Sequence, residues 1–173
     1  IRSIEELYRA GVTDKAMEYT RQIGGILKPL VPEEYSDNPM LNILLADRKQ
    51  AAESMGIRFV VKVESTGLGF IEPVDVTTLF GNLLENAMQA ALKCSGERYI
   101  KVHIKNYNEM LSIRIENSVE KEVRIKNGRP VSTGGRGTGI GCLNVQRCVE
   151  KYGGSVLYKN GNGKFYSDVI LNR

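Results

Sequence analysis

Residues 77–92, TTLFGNLLENAMQAAL, predict an apolar helix with one narrow polar edge. The polar exceptions are Asn82, Glu85, Asn86 and Gln89. At about 3.6 residues per turn, these four side chains fall within roughly 100° of arc. A buried amide or carboxylate without a partner costs on the order of several kcal/mol, so the edge indicates water, a metal or a ligand. Amide oxygens are hard ligands that suit Mg²⁺.

The same four residues also fit an ordinary solvent-exposed face of a half-buried helix. That alternative stays open at this point. A solvent face usually carries lysine, arginine and several glutamates, whereas this edge carries two asparagines. The composition therefore favours a ligand-binding edge without proving it.

Residues 134–141, GGRGTGIG, form the second informative stretch and precede a predicted helix. Five of these eight residues are glycines, which permit close approach of the backbone to a ligand. Free N–H groups at a helix start attract anions, so the stretch predicts a phosphate-binding loop. A flexible hinge without a ligand is the alternative. The spacing fits neither the Walker loop nor the G-x-G-x-x-G dinucleotide motif.

Outside these two stretches, hydrophobic periodicity predicts an α+β two-layer sandwich. Consecutive predicted hairpins favour a mixed sheet with helices on one face over a doubly wound parallel sheet. The helices are predicted over 40–55, 75–93 and 140–152, and the strands over 57–64, 99–105, 111–116, 155–159 and 165–171. Residues 118–139 are polar and without periodicity, as is typical of a lid or binding segment. We expect residues 1–33 to be a separate helical segment and residues 34–173 to be the main domain.

Composition narrows the class of protein further. Hydrophobic residues make up 42% of the 173 residues, enough for a sizeable core. The net charge of +4 is spread along the chain, which is untypical of a nucleic-acid-binding protein. No run approaches the length of a bilayer span. Three widely spaced cysteines predict a reduced, cytoplasmic protein, and His103 lies on the polar face of a predicted strand.

Together, these motifs resemble the ATP-binding GHKL superfamily, which has a Bergerat-type fold and includes DNA gyrase, a heat-shock chaperone, sensor histidine kinases and MutL. The resemblance covers about residues 38–173. It rests on the helix motif of residues 82–87, a strand ending at Asn117, and Gly-Thr-Gly-Ile-Gly at 137–141. Tyr-Gly-Gly at 152–154 is most similar to the histidine kinases, and the short lid resembles their quorum- and citrate-sensing branch.

The resemblance implies roles for the polar residues of the helix and strand. Asn86 would coordinate Mg²⁺, and Asn82 would support the phosphates, with Glu85 in a secondary polar role; Asn82 and Glu85 are thus the candidate catalytic residues. Gln89 stands where many histidine kinases have a phosphate-binding lysine. Asn117 stands where the family usually has an aspartate that accepts the adenine amino group.

The resemblance also implies that the glycine-rich loop surrounds the triphosphate of ATP. Its predicted ligand-binding residues are Arg136, Gly137, Thr138, Gly139, Ile140 and Gly141. Arg136, or one of the lid residues Lys121 and Lys126, would lie near the γ-phosphate.

By the same resemblance, the chain is the catalytic part of a two-component sensor histidine kinase. It would donate the γ-phosphoryl group to a histidine on a dimerisation helix, and that histidine is expected upstream of residue 1. The expected partners are a second copy, joined through residues 1–33, and a response regulator. A membrane sensor would precede this cytoplasmic part. The alternatives are a non-catalytic interaction module and a gyrase-type ATPase, which would need a glutamate at position 82.

Overall fold

The structure, a computed structural model, describes residues 34–65, 67–131 and 140–173. The residues from Glu34 to Arg173 belong to one compact unit. The helical segment predicted over residues 1–33 lies outside the described residues.

A five-stranded mixed sheet forms one layer of this unit. Its strands are β1 (Arg58–Glu64), β2 (Tyr99–Tyr107), β3 (Met110–Ser118), β6 (Ser155–Gly161) and β7 (Lys164–Asn172). Their spatial order is β1-β2-β3-β7-β6. Strands β1 and β2 run parallel. The other neighbouring pairs, β2–β3, β3–β7 and β6–β7, are antiparallel.

Three helices form the other layer: α1 (Pro39–Ser54), α2 (Pro73–Leu92) and α3 (Ile140–Lys151). A 3-10 turn, Leu68–Phe70, precedes α2. The sequence explains the start of α1, because Asn38 accepts a hydrogen bond from the Leu41 amide and Pro39 occupies the first turn. Helix α2 buries eight residues, among them Leu79, Leu83 and Leu84, and lies between the sheet and the solvent.

Strand register separates the sheet into an apolar face and a polar face. One cross-strand row on the helix side consists of Val63, Ile104, Ile113, Val169 and Val156. The adjacent positions on the outer side are polar or charged along most of their length. Because side chains alternate across a strand, this pattern places all three helices on one face. The predicted α+β sandwich with a mixed sheet is confirmed.

The segment between β3 and α3 differs from the prediction of a lid without secondary structure. It contains a short hairpin of β4 (Ile125–Lys126) and β5 (Arg129–Pro130). Its turn residues have positive φ, 51° at Asn127 and 72° at Gly128. Asn127-Gly128 is a strong sequence signal for a hairpin turn. The prediction missed it because it treats residues 118–139 as one irregular, glycine-rich segment.

The base of this hairpin is fixed to the sheet. The Asn160 side chain of β6 accepts a hydrogen bond from the Val123 amide at 3.0 Å and donates one to the Val123 carbonyl at 2.7 Å. The lid segment therefore begins from an anchored position beside β6.

Within the described ranges, none of the helices combines the length and apolarity that crossing a membrane requires.

The turn from α3 into β6 gives a test of this packing. A Cβ atom at Gly154 would collide with the backbone carbonyl oxygen of Ile170. We expect Gly154→Ala to lower the free energy of unfolding by about 3 kcal/mol or more, because a β-sheet backbone has to move. Urea denaturation would measure the change.

Gly81→Ala is the matched control, since nothing lies within 4 Å of a Cβ at Gly81 in the middle of α2. We expect it to leave stability unchanged or raise it by up to about 1 kcal/mol. Equal stability of the Gly154→Ala variant and the parent chain would contradict the packing described for β7.

Candidate functional site

The polar edge of α2 faces the beginning of α3 along part of its length. Asn82 is half-buried, whereas Glu85, Asn86 and Gln89 are exposed as whole residues. Glu85 accepts hydrogen bonds from Gln89 at 2.9 Å and from Arg48 of α1 at 3.3 Å. Glu85 and Gln89 are therefore paired with each other and with α1 in this structure.

Asn82 lies in direct contact with Gly141, the second residue of α3. A Cβ atom at position 141 would come within 2.9 Å of the Asn82 Oδ1 atom. A side chain at position 141 would therefore force the Asn82 amide to shift. The structure thus brings together Asn82 and Gly141, two residues that the sequence predicted to share a ligand. Ile140, the residue before Gly141, is exposed at the start of the same helix.

Asn86 contacts the next residue of α3. Its Nδ2 atom lies 4.0 Å from the Cys142 sulfur, as a weak hydrogen bond. Burial raises the pKa of the Cys142 thiol, and the nearby charge of Arg129 only partly offsets this effect. Because the thiol therefore stays protonated at neutral pH, it acts as a neutral neighbour of Asn86.

Tyr158 of β6 lies behind Cys142. Its hydroxyl is buried and makes no hydrogen bond with any described residue. Its ring stacks on Phe165 of β7, with centroids 6.0 Å apart. Cys142 and Tyr158 were not predicted, because neither has a sequence neighbour that marks it as part of a site.

Asn117 occupies the helix-facing side of β3 near its end and is only 2% exposed. Its Nδ2 donates to the Ser118 carbonyl at 2.9 Å. In β2 and β7, its register partners are Ile100 and Phe165, which are both buried. The amide therefore lies among apolar side chains, where a hydrogen bond to a ligand is strong.

All three asparagines have the same orientation relative to their partners. Each uses its Nδ2 atom as a donor, since Asn82 also donates to the Thr78 carbonyl at 2.6 Å. None of their Oδ1 atoms accepts a hydrogen bond from another described residue. Three amide oxygens thus remain without a described hydrogen-bond donor. Such oxygens can ligate a hydrated Mg²⁺ ion or accept a hydrogen bond from the amino group of a purine.

The sequence of residues 71–172 matches the family model of the GHKL domain. The chain belongs to the GHKL domain family. This match covers both predicted motifs, the polar edge of α2 and the glycine-rich loop.

Solved structures of histidine kinases share the fold of this GHKL domain at low sequence identity. The nucleotide-free catalytic domain of ThkA has a TM-score of 0.62 and 17% identity, with 80% of this chain and 93% of that domain covered. The histidine kinase AdeS of Acinetobacter baumannii has a TM-score of 0.58 and 13% identity, covering 96% of this chain and 81% of AdeS. Full-length ShkA in complex with AMPPNP has a TM-score of 0.57 and 15% identity, covering 78% of this chain and 30% of ShkA.

A search of curated proteins found none of similar sequence. The fold of the GHKL domain is therefore that of histidine kinase catalytic domains.

Arg129 is a cation near the site that the sequence analysis missed. It lies in β5 of the lid hairpin, close enough to Cys142 and Tyr158 for its charge to act on both. It forms no ion pair with the described residues. The predicted lid lysines, Lys121 and Lys126, are exposed.

Four of the predicted loop residues, Arg136, Gly137, Thr138 and Gly139, lie outside the described residues. Of the predicted set, Ile140 and Gly141 are the described part of the loop. In the part of the chain with described coordinates, no group of three or more histidine, cysteine or acidic side chains could hold a metal. A metal here would therefore depend on amide, phosphate and water oxygens.

The far end of α3 is tied to the first turn of α2. The Asp75 carboxylate accepts hydrogen bonds from the Tyr152 hydroxyl at 2.6 Å and from the Lys151 ammonium at 2.7 Å. Lys151 also pairs with Glu72 at 2.9 Å. These bonds fix α3 on α2, so the Gly141 end meets Asn82 in a defined register.

A separate cavity of about 360 Å³ opens beyond the ends of β2 and β3 and is lined in part by Tyr99, Ser118 and Lys164. None of the described nucleotide-binding candidates lines it. Both of its acidic lining residues are already bonded: Glu120 accepts hydrogen bonds from the Ser95 amide and hydroxyl, and Glu97 pairs with Arg58. The cavity is therefore distinct from the candidate site of Asn82, Asn86 and Asn117.

Lys151 and Tyr152 donate hydrogen bonds to Asp75, and we call this group the Asp75 clasp. It predicts a pH dependence of stability. Burial raises the pKa of the Asp75 carboxyl, but hydrogen bonds from Lys151 and Tyr152 outweigh burial and leave the pKa below its usual value of 3.8. A lowered pKa in the folded state stabilises the fold above about pH 4, and this contribution is lost as the pH falls further. We expect Asp75→Asn to cost about 1–3 kcal/mol at pH 7 and progressively less below pH 4.

Urea denaturation at several pH values would measure this difference between Asp75→Asn and the parent chain. Asp47→Asn serves as the control, because the Asp47 side chain is 70% exposed and lies 3.9 Å from its partner Arg48. A stability difference for Asp75→Asn that stays constant from pH 7 to pH 3 would disprove the clasp.

Proposed function

We propose that this GHKL domain binds Mg-ATP between α2, the end of β3 and the start of α3, as the catalytic part of a sensor histidine kinase. The observation that carries the proposal is the set of three asparagine oxygens that accept no hydrogen bond from any described residue, with the Asn82 and Asn86 side chains against the first turn of α3. The family membership and the shared fold support it.

In this proposal, each asparagine has a separate role. Asn86 Oδ1 ligates Mg²⁺, and Asn82 Oδ1 lies beside Gly141 to orient the phosphates or their waters. Asn117 Oδ1 accepts a hydrogen bond from the adenine amino group. Bound Mg²⁺ would neutralise charge on the transferred phosphoryl group. Glu85 and Gln89 hold the polar edge in place through their mutual hydrogen bond.

Positive charge toward the γ-phosphate would come from the lid. The predicted source is Arg136 or one of the lid residues Lys121 and Lys126. We add Arg129, which lies near Cys142 and Tyr158. Gln89 cannot supply the charge that a lysine would bring. Gly137, Thr138 and Gly139 would complete the phosphate-binding loop before Ile140 and Gly141.

The phosphoryl acceptor in this proposal is a histidine on a dimerisation helix. His103 does not fit that role, because it lies on the outer face of the sheet and bonds to Glu64 at 2.6 Å. The helices predicted over residues 1–33 would belong to the dimerisation segment of a homodimer. A response regulator would receive the phosphoryl group, and the signal would come from a membrane sensor of the quorum- or citrate-sensing type, with this part in the cytoplasm.

A non-catalytic interaction module of the same fold is the second candidate. Two observations favour it: Asn117 lacks the charge of an aspartate, and Gln89 is engaged with Glu85 and exposed. The two candidates differ in whether the chain binds Mg-ATP at all. Isothermal titration calorimetry of the 173-residue chain with ATP, with and without Mg²⁺, distinguishes them.

Replacing Asn86 tests the metal role. We expect Asn86→Ala to lower the Mg²⁺-dependent affinity for ATP by about tenfold or more, because loss of a ligand weakens the metal site. The weaker binding measured without Mg²⁺ should change by less than about twofold. Gln50→Ala, an exposed amide on α1, is the matched control and should leave both affinities unchanged.

Two results would refute this assignment in different ways. Unchanged Mg-ATP affinity of Asn86→Ala would remove the metal role while leaving nucleotide binding intact. No binding by the parent chain at millimolar Mg-ATP would favour the non-catalytic module instead.

Replacing Asn117 tests the recognition of the base. The adenine of ATP presents an amino group that can donate a hydrogen bond to Oδ1. The guanine of GTP presents a carbonyl oxygen at the same position, which cannot donate one. We expect the parent chain to prefer ATP and Asn117→Leu to lose about tenfold in ATP affinity, with little change for GTP. Competition against a fluorescent ATP analogue would measure both affinities.

Asn117→Asp provides the control, since it keeps an acceptor at this position and should keep the preference for ATP. A parent chain that binds ATP and GTP equally would contradict the role assigned to Asn117. Thermal unfolding of each variant without nucleotide would separate loss of recognition from loss of folding.

A further inference from the structure

The outer face of the sheet holds the excess positive charge of the described residues. Its seven cations are Arg58, Lys62, Lys101, Lys105, Arg114, Lys159 and Lys164. Its carboxylates are Glu64, Glu116 and Asp168, joined at the edge by Glu97, which pairs with Arg58 at 2.7 Å. The remaining described side chains carry eleven positive and eleven negative charges. The face therefore has an excess of three positive charges, and the rest of the described unit is neutral.

Two of the carboxylates on this face, Glu116 and Asp168, are each shared by two cations, whereas Glu64 pairs with Lys62 at 2.6 Å. Glu116 lies 3.7 Å from the Lys101 ammonium and 3.5 Å from that of Lys164. Asp168 binds Arg114 at 2.6 Å and lies 3.9 Å from Lys159. One negative charge cannot neutralise two positive charges, so positive potential remains across the centre of the sheet.

The face is accessible and broad. Lys105 is exposed and forms no ion pair with any described residue, and Lys62 and Lys159 are 63% and 55% exposed in their side chains. No described helix packs on this side of the sheet. Its cations extend from β1 at one edge to β6 at the other.

The chemistry of the face disfavours three kinds of partner. A second copy of the chain, joined face to face, would bring like charges together. Single-stranded nucleic acid needs a row of free aromatic rings for stacking, but cations already cover Tyr99 and Tyr166, which leaves Tyr107, 63% exposed at the end of β2. A protein interface usually has an apolar centre and a polar rim. Here, the exposed apolar residues Val60 and Leu157 lie on opposite edge strands, and the charges lie between them.

We propose that the outer face of the sheet is a docking surface for an anionic lipid membrane. Lysines predominate among its cations, and flexible ammonium groups can bind lipid phosphates without a fixed geometry. Attraction between basic residues and anionic lipids is worth about fivefold in affinity per charge and is screened by salt. The contact is independent of the nucleotide site, because that site lies on the helix side of the sheet.

Vesicle flotation of the 173-residue chain tests the proposal. At low ionic strength, we expect vesicles of phosphatidylcholine with about one-third phosphatidylglycerol to bind the chain about 100-fold better than pure phosphatidylcholine. The difference should disappear at about 0.5 M salt. The double variant Lys105→Gln, Lys159→Gln should bind about 25-fold more weakly than the parent chain.

The matched control is Lys93→Gln, Arg147→Gln, which removes two exposed charges on the helix side and should change binding by less than about twofold. Equal losses in both double variants would show that net charge acts without a defined face and would overturn the proposal. Equal binding to both kinds of vesicle, or no binding to either, would also overturn the proposal. Binding to soluble polyglutamate in place of the vesicles would identify an acidic protein as the partner instead.

Discussion

The close contact of α2 with α3 is the constraint on which the site depends. At one end of α3, Gly141 lies against the Asn82 amide, which would have to shift if residue 141 carried a side chain. At the other end, Lys151 and Tyr152 bind Asp75 in the first turn of α2. With both ends fixed, the first turn of α3 is held along the polar edge of α2. A change in this crossing would separate the asparagines from the loop that precedes α3.

The polarity of the site follows from how the amides are used. Asn82, Asn86 and Asn117 donate to protein acceptors through Nδ2, and their oxygens accept no hydrogen bond from any described residue. Neutral oxygens attract a metal or an amino group but do not neutralise a triphosphate. Positive charge for a triphosphate would therefore have to come from Arg129 and the lid, because the exposed stretch of α2 beyond Asn86 carries Gln89 instead of a cation.

The two faces of the sheet carry different chemistry. The helix side has buried aliphatic rows, such as Val63, Ile104 and Ile113, and ends at Asn117 beside Phe165. The outer side carries an excess of three positive charges, in which Glu116 and Asp168 are each shared by two cations. Nucleotide and membrane would thus bind to opposite sides of one sheet, in contacts that can be separated by mutation.

Sequence periodicity alone determined the α+β class, most element positions and the polar edge of α2, because these depend on local spacing of apolar and polar residues. The sequence also brought Asn82, Asn86, Asn117 and the glycine-rich loop into one hypothesis. Only the tertiary structure decided that Cys142 adjoins Asn86, that Tyr158 and Arg129 lie near Cys142, and that evenly spread charges collect on one face. Those contacts join residues far apart in the chain, and strand register and helix crossing, which no local pattern encodes, bring them together.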